Sequence, residues 1–260
     1  MNYIVLDLEF NQAYNFRKGK RTILNPKLPF EIIQIGAVKM DNDFNITEKF
    51  NYFIKPQIYK RIHPIVEKLT GITIDKLIGS EDFLTAYNSF VSFIGSDDAV
   101  LCSWGIDDIK SLFRNIIYYN CDQSKITKKY TNIQSFATTH LNFEAGNSIG
   151  LKNAVELLNL PKESQFHDAL NDAYYTALVF QLVKPEKLKP LTFTSADLEP
   201  KKTALTRLNT KALMGYFENS LARELSAEEI SMIKTAYKFG KNNSYEIPTK
   251  KNTKKSTSQD

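Results

Sequence analysis

The sequence predicts an α/β fold in which helices flank a mixed β-sheet. Three observations support this class: three strand-like runs open the chain, strands then alternate with helices, and a long helical pattern comes late, at residues 167–183. Strands in succession followed by strand–helix units are expected to form one sheet with antiparallel and parallel neighbours. A chain of 260 residues suffices for one sizeable domain and an appendage.

The first three runs predict an antiparallel start to the sheet. Residues 3–10, 31–40 and 47–56 are rich in β-branched and aromatic side chains, and polar segments with Asn and Asp separate them. In the third run, apolar side chains alternate with polar ones, which is typical of a strand with one face toward the core.

Helices dominate the chain after these strands. Residues 81–94 carry apolar side chains at helical spacing, and residues 99–104 form an apolar strand. An amphipathic helix follows this strand and extends through Ile117. Two further helices are predicted at residues 151–158 and 167–183.

Proline spacing divides the chain. We expect one domain over residues 1–184 and a linker-like segment over residues 185–209, where three prolines occur, Pro185, Pro190 and Pro200. Residues 210–240 predict a helical appendage whose second helix begins with a capping box at Ser226 and Glu229. Residues 241–260 are basic and polar, and this composition predicts a disordered tail.

Composition limits the classes of function. The net charge of +5 is compatible with a polyanionic partner, and no uncharged run is long enough to span a bilayer, so no membrane partner is expected. The N-terminus lacks the basic region of a signal peptide, which favours a cytoplasmic protein. Two cysteines are too few for a disulfide framework or a zinc cluster.

The first acidic element is Asp7-Leu8-Glu9 at the end of the first strand. Side chains two residues apart on a strand project from the same face, so the carboxylates of Asp7 and Glu9 converge. Such a pair is costly unless a cation neutralises it, and Mg²⁺ prefers oxygen ligands of this kind. Taken alone, the pair is equally compatible with a solvent-exposed acidic strand end.

The second acidic element is the pair Asp107-Asp108, where a buried strand leads into a helix. One of these acids could cap the helix and interact with its dipole. We assign Asp107 as the cap and Asp108 as the candidate ligand, although the reverse assignment fits the sequence too.

The third element is His167-Asp168-Ala169-Leu170-Asn171-Asp172 at the start of the late helix. Asp172 lies one turn inside the helix, and Asp168 is the expected N-cap. His167 lies at the helix entrance, where an imidazole could act as a base or simply form local hydrogen bonds.

The order of these three elements resembles the pattern of the DEDDh 3′→5′ exonucleases. That pattern has Asp-x-Glu on a strand, Asp at a strand–helix junction and His-x₄-Asp on a late helix. This superfamily includes ribonuclease T, oligoribonuclease and the proofreading subunit of polymerase III. The resemblance covers residues 1–184 and implies a ribonuclease H-like exonuclease fold. Within the superfamily the chain is most similar to the KapD and Eri1-type (3′hExo-like) branch, through Asp7-Leu8-Glu9-Phe10, the segment 29–38 and the segment 69–73.

The resemblance implies the chemistry of the site. Four acids would bind two Mg²⁺ or Mn²⁺ ions, and His167 would be the base that activates water; the acids are Asp7, Glu9, Asp108 and Asp172. The products would be nucleoside 5′-monophosphates, released from the 3′ end of single-stranded RNA or DNA. The Eri1-type resemblance favours RNA.

Four side chains are candidates for contact with the substrate, namely Leu8, Phe10, Asn11 and Trp104. Core packing is a strong alternative for Leu8 and Phe10, because strand alternation points them away from the two acids. Asn11 occupies a position where the branch usually has Thr. The basic insertion at residues 15–21 is equally compatible with phosphate binding and with a solvated loop.

Two other functions are compatible with the sequence. The chain could be a proofreading or accessory DNA exonuclease subunit whose helical appendage binds a protein partner. It could also be a catalytically silent RNA-binding protein of the same fold, although retention of all four acids argues against that reading.

Overall fold

The structure, a computed structural model, describes residues 2–14, 25–95, 98–143, 148–161, 164–184, 188–199 and 209–241. The chain divides into two compact units, Met1–Pro200 and Lys201–Asp260. The basic insertion at residues 15–21 and the tail from residue 242 onward lie outside the described residues.

A six-stranded mixed sheet forms the centre of the first unit, as the sequence predicts. Its strands lie in the order β3-β2-β1-β4-β5-β6. Their bounds are β1 Asn2–Gln12, β2 Phe30–Met40, β3 Ile46–Phe53, β4 Ala99–Ser103, β5 Lys129–Asn132 and β6 Leu191–Thr192.

The pairing of the strands explains the mixed character of the sheet. β2 is antiparallel to both β1 and β3, which confirms the predicted antiparallel start. β1 pairs in parallel with β4, and β4 pairs in parallel with β5. Because parallel neighbours require crossover connections, helices are placed on the faces of the sheet.

The helices of the first unit are α1 Pro64–Thr70, α2 Ile74–Leu77, α3 Phe83–Ile94, α4 Asp107–Tyr118, α5 Ile133–His140, α6 Leu151–Leu157 and α7 Ala169–Val183. The predictions of α3, α4, α6 and α7 are confirmed, although α3 and α7 each begin two residues later than expected and α6 ends one residue earlier. The sequence does not predict α1, α2, α5, β5 and β6, because these elements are too short to show a strong periodicity.

Two apolar layers hold the helices against the sheet. On one face, Ile4, Leu6 and Leu8 of β1 pack with apolar side chains of α3 and α4. On the other face, Tyr3 and Val5 pack with α7. This alternation follows from the two-residue period of a strand and leaves the odd-numbered positions of β1 facing α7.

The segment expected to be a linker, residues 185–209, differs from that prediction in its described first part. β6 pairs with β5, and Phe193 is buried with its ring 4.0 Å from that of Phe113. Arg114 also donates a hydrogen bond to the Leu198 carbonyl, at 3.3 Å. Residues 188–199 therefore belong to the first unit, because their aromatic and backbone groups complete its core and sheet.

The second unit contains α8 Thr210–Leu221 and α9 Ala227–Lys241. The predicted capping box is confirmed: Glu229 N–H donates to Ser226 Oγ at 3.2 Å, and Ser226 N–H donates to Glu229 Oε2 at 2.9 Å. Across the described part of both units, none of the helices combines the length and the apolar character that a bilayer span requires.

Candidate active site

The strand β1 brings Asp7 and Glu9 to the face of the sheet that α7 covers. Both are odd-numbered, so they continue the row begun by Tyr3 and Val5, which pack against α7. Along β2 the residues opposite these acids are Gly36, across from Asp7, and Gln34, across from Glu9. Both half-buried carboxylates therefore lie beneath the first turn of α7.

The first turn of α7 is fixed by its N-cap. Asp168 accepts a hydrogen bond from Asn171 N–H at 3.1 Å through its side chain, which confirms the prediction that Asp168 caps the helix. The backbone can approach β2 closely because position 36 is glycine: a Cβ there would lie 2.1 Å from the Ala169 carbonyl carbon. This close contact places Asp172, one turn into α7, above the acids of β1.

Three carboxylates converge at this point. Asp7, Glu9 and Asp172 each offer an oxygen atom within 4.8 Å of the others, and we call this set the carboxylate cluster. The Oδ1 atom of Asp172 is buried and has no hydrogen-bond partner among the described residues. Converging hard oxygen donors, one of them buried and unsatisfied, fit a divalent cation of the Mg²⁺ type.

The electrostatics of these carboxylates also favour a bound cation. Burial raises the pKa of Asp7 well above its usual range, and the charges of neighbouring carboxylates, Asp108 first, add to this effect. Burial and nearby carboxylates also raise the pKa of Glu9 to about 8 and that of Asp108 to about 7. Burial raises the pKa of Asp172 to about 6, although the His167 N–H counteracts it. A bound cation would offset this repulsion.

The loop between β4 and α4 places Asp108 beside the cluster. Gly105 has a φ of 103°, a conformation that favours glycine, and its N–H donates to Asn132 Oδ1 at 3.0 Å. Ser103 Oγ donates to the Gly105 carbonyl at 2.7 Å. Asp108 is not among the three residues within 4.8 Å of one another, but its charge acts on both Asp7 and Glu9.

The prediction that Asp107 caps α4 is wrong. The N-cap residue is Ile106, without a side-chain cap, and Asp107 is the first residue of the helix. Asp107 is exposed and Asp108 is half-buried. A carboxylate in the first turn still interacts favourably with the helix dipole, which accounts for the tolerance of an acid at position 107.

His167 precedes the N-cap in a left-handed conformation, with a φ of 67°. Its N–H donates to Asp172 Oδ2 at 3.1 Å, so the backbone at this residue orients a member of the carboxylate cluster. The residue is exposed. Its position just before α7 keeps this residue outside the helix.

Two of the four predicted substrate contacts are corrected by the structure. Leu8 is only 3% exposed and packs in the core beneath α3 and α4, as strand alternation requires. Asn11 is fully buried, and its amide bonds the backbone of the segment 59–63: Nδ2 donates to the Tyr59 and Arg61 carbonyls, and Oδ1 accepts from His63 N–H. Neither side chain is accessible to a sugar or a base.

Phe10 and Trp104 have mixed environments. Phe10 is half-buried, and its ring lies 6.1 Å from that of Phe30. The half-buried Trp104 packs between α5 and α7, and its Nε1 donates to the Ile149 carbonyl at 3.2 Å. Trp104 therefore contributes mainly to packing, whereas Phe10 retains an exposed part near the end of β1.

The sequence pattern does not reveal the residues that position the site. Gln34 is fully buried, although the pattern indicates only that it lies in a strand, and Gly36 lies in the same run. A polar residue and a glycine within the otherwise apolar run of β2 were the available signals, since both are unusual in a central strand.

Comparisons with known proteins agree with this geometry. A family model described as RNase_T, "Exonuclease", matches residues 4–180. The chain is 30% identical over 181 residues to DNA polymerase III subunit epsilon of Aquifex aeolicus (strain VF5), covering 68% of this chain and 78% of that protein. It is 26% identical over 187 residues to the protein of the same name from Buchnera aphidicola subsp. Schizaphis graminum (strain Sg), covering 69% and 73%. Among solved structures, the nuclease domain of 3′hExo bound to rAMP is similar, with a TM-score of 0.62 at 18% identity, covering 74% of this chain and 97% of that one.

Proposed function

This chain belongs to the RNase_T exonuclease family, and we propose that it removes nucleotides one at a time from the 3′ end of single-stranded nucleic acid, using divalent metal ions. Family membership makes the protein a nuclease of the DEDDh 3′→5′ exonuclease superfamily. The observation that carries the proposed reaction is the convergence of Asp7, Glu9 and Asp172 around a buried, unpartnered carboxylate oxygen.

The carboxylate cluster would hold the metal ions, with Asp108 as a further ligand or as a nearby charge. We propose Mg²⁺ or Mn²⁺, two ions in all, because these cations prefer carboxylate oxygens. When bound, they supply Lewis-acid stabilisation of the charge that develops on the phosphate during hydrolysis. The raised pKa values of Asp7 and Glu9 mean that loading the site releases protons.

His167 is the proposed general base. The residue is exposed and its backbone N–H is bonded to Asp172, so its Cα is held next to a member of the carboxylate cluster. An imidazole can accept a proton from the attacking water near neutral pH. Hydrolysis on this pattern yields nucleoside 5′-monophosphates.

Phe10 is the proposed contact for the terminal base. Its half-buried ring lies one residue beyond Glu9 on β1, next to the cluster in sequence. One side of the ring packs against the core formed with α3 and α4, and we propose that the part left exposed stacks with a nucleobase of any identity.

RNA is the favoured substrate in this proposal. The sequence resembles the Eri1-type branch, and the similar 3′hExo nuclease domain was crystallised with rAMP. A second candidate is supported by the relatives named DNA polymerase III subunit epsilon: an accessory or proofreading DNA exonuclease. For that candidate, the second unit, α8 and α9, would bind a protein partner. We further propose that the protein acts in the cytoplasm.

Matched single-stranded RNA and DNA oligonucleotides, labelled at the 5′ end, test the proposal. We expect shortening from the 3′ end with Mg²⁺ or Mn²⁺, none with EDTA, and faster digestion of RNA. Asp7→Asn should lower the rate at least about 100-fold while the chain remains folded. Digestion that persists in EDTA, or in Asp7→Asn, would refute the site. Faster digestion of DNA would favour the accessory-subunit function, and recovery of a stoichiometric partner lost on deletion of residues 201–260 would support it.

A further inference from the structure

The amide of Gln34 connects β2 to the beginning of α7. Gln34 is 0% exposed, and its Nε2 donates to Asp168 Oδ2 at 2.9 Å. Its Oε1 accepts from Ala169 N–H at 3.3 Å. The same Nε2 also donates to Asn51 Oδ1 of β3 at 2.9 Å. A fully buried polar side chain therefore has its bonds directed at the first turn of one helix and at the neighbouring strand.

These bonds complete the capping of α7. Asp168 accepts from Asn171 N–H with Oδ1 and from Gln34 with Oδ2, so both of its oxygens are engaged. A fifth carboxylate near the site is thereby held in its capping geometry. Since Ala169 N–H bonds directly to Gln34, the side chain also engages one of the N–H groups that the start of a helix leaves without an intrahelical partner.

Gln34 lies between the acids of β1 and the turn of α7 that carries Asp172. On the antiparallel β1–β2 pair, Gln34 lies directly across from Glu9, and the two residues share one face. Asp172 lies one turn beyond Asp168 and its N–H donates to the Asp168 carbonyl at 2.9 Å. The Gln34 side chain, which lies beside Glu9, therefore sets the position of the first turn of α7. That turn carries Asp172, and His167 lies one residue before its N-cap.

We infer that Gln34 is a positioning residue for the proposed exonuclease reaction, fixing Asp172 and His167 relative to the acids of β1. This inference rests on the proposed function. A buried amide that merely satisfied its own hydrogen bonds would contribute to stability alone. A positioning residue should affect turnover out of proportion to stability, because small displacements of reacting groups are costly.

Asn115 provides a matched control. It is also a fully buried amide bonded to β2, accepting from Ile32 N–H at 3.3 Å and donating to the Phe30 carbonyl at 3.1 Å, but it lies on α4. Gln34→Met and Asn115→Leu each remove a buried amide while nearly preserving its shape. We expect both to lower the melting temperature.

The two variants should differ in turnover on a single-stranded oligonucleotide. For Gln34→Met we expect kcat to fall about 100-fold with KM changed less than about threefold. Asn115→Leu should keep kcat within about threefold of wild type. Hydrogen exchange gives a readout that needs no catalysis: the N–H groups of Asn171 and Asp172 should exchange faster in Gln34→Met than in Asn115→Leu.

A donor–acceptor swap provides the second variant. Gln34→Glu alone sets a carboxylate against that of Asp168 and should lower kcat further. Adding Asp168→Asn places a donor amide at position 168 opposite the new carboxylate, which still accepts from Ala169 N–H. Rotation of the Asn51 amide, so that Nδ2 faces position 34, replaces the bond that Gln34 donated to Asn51. The double variant should recover kcat to within about tenfold of wild type.

Three results would overturn the inference: turnover lost in proportion to melting temperature in both Gln34→Met and Asn115→Leu, unchanged exchange at Asn171 and Asp172, or no recovery in the double variant. Failure of the proposed function is a separate result. In that case wild type itself would release no mononucleotides, whereas the exchange rates would still report on the helix start.

Discussion

Gly36 and Ala169 are in such close contact that no side chain can separate them. A Cβ at position 36 would lie 2.1 Å from the carbonyl carbon of Ala169 and 2.1 Å from the amide nitrogen of Leu170. Gly36 also pairs with Asp7 across the β1–β2 ladder. The glycine therefore lets the start of α7 pack closely on β2 beside Asp7.

Replacing this glycine should separate the helix from the sheet. For Gly36→Ala we expect the free energy of unfolding to fall by about 3 kcal/mol, the upper part of the usual range for overpacking, because the neighbours are backbone atoms. Exonuclease activity should be lost even where the variant is folded. Urea denaturation and a digestion assay measure the two effects. Gly79→Ala, at a glycine with no neighbour within 4 Å, is the control, and equal stability of the two variants would contradict the close contact.

The left-handed backbone of His167 decides which substitution isolates its imidazole. Asn is tolerated at positive φ better than most residues, so His167→Asn should preserve the N–H bond to Asp172. We expect the single-turnover rate constant to fall about 100- to 10,000-fold while affinity for Mn²⁺ is retained. Single-turnover digestion measures the first quantity and calorimetry the second.

Nearly unchanged turnover in His167→Asn would exclude the imidazole as the base. Turnover within a few-fold of wild type in His167→Asn would leave the backbone N–H as the contribution of this residue. His167→Val offers a contrast, because a β-branched residue at this φ is strained and should also lower the melting temperature.

The raised pKa of Glu9 predicts how stability depends on pH without metal. Folding raises this pKa from 4.5 to about 8, so the folded protein binds a proton that the unfolded chain releases between these values. The free energy of unfolding should therefore decrease as pH rises through this window, by at most about 1.4 kcal/mol per pH unit for each proton involved. Thermal unfolding in EDTA between about pH 4.5 and 8 measures the slope.

Two comparisons test the origin of that slope. Glu9→Gln should flatten it, because the amide does not titrate. Saturating Mn²⁺ should raise the melting temperature most at high pH, where the ligands give up their protons readily. A wild type that gains stability with rising pH relative to Glu9→Gln would show that folding does not raise the pKa of Glu9.

The burial of Phe193 predicts that the first unit extends past the end of α7. Its ring is 4% exposed and is stacked on Phe113, so Phe193→Ala should lower the free energy of unfolding by about 3–5 kcal/mol. Leu191 is 59% exposed, and Leu191→Ala should change stability by less than about 0.5 kcal/mol. If urea denaturation gave similar losses of unfolding free energy for the two variants, these residues would behave as the linker that the prolines predict.

The main elements of the fold could be predicted because their periodicity is strong. β2 is buried along almost its whole length, and α4 carries apolar side chains on one face with Asp107 and Lys110 among the polar ones. β5 has four residues and β6 has two, too few for a pattern. β6 is a strand because it pairs with β5, and Phe193, which follows it, is stacked on Phe113. The prolines nearby in the sequence favour a linker instead and give no sign of this strand.

The acids of the site could be located by sequence, but their partners could not. The types and spacing of Asp7, Glu9 and Asp172 carry the resemblance to the exonuclease superfamily, and that resemblance predicts them as metal ligands. The loss of Leu8 as a substrate contact also follows from alternation. In contrast, the burial of Asn11 depends on a loop some fifty residues away, which no local pattern reveals.

The central place of β1 in the sheet has a consequence for synthesis of the chain. β2 can pair with β1 as soon as residue 40 has left the ribosome, but β4 begins only at Ala99. Until then, one edge of the first strand keeps open N–H and C=O groups, the kind of edge that invites pairing between chains. Asp172 emerges later still, so a nascent chain carries its first two acids long before the third can join them.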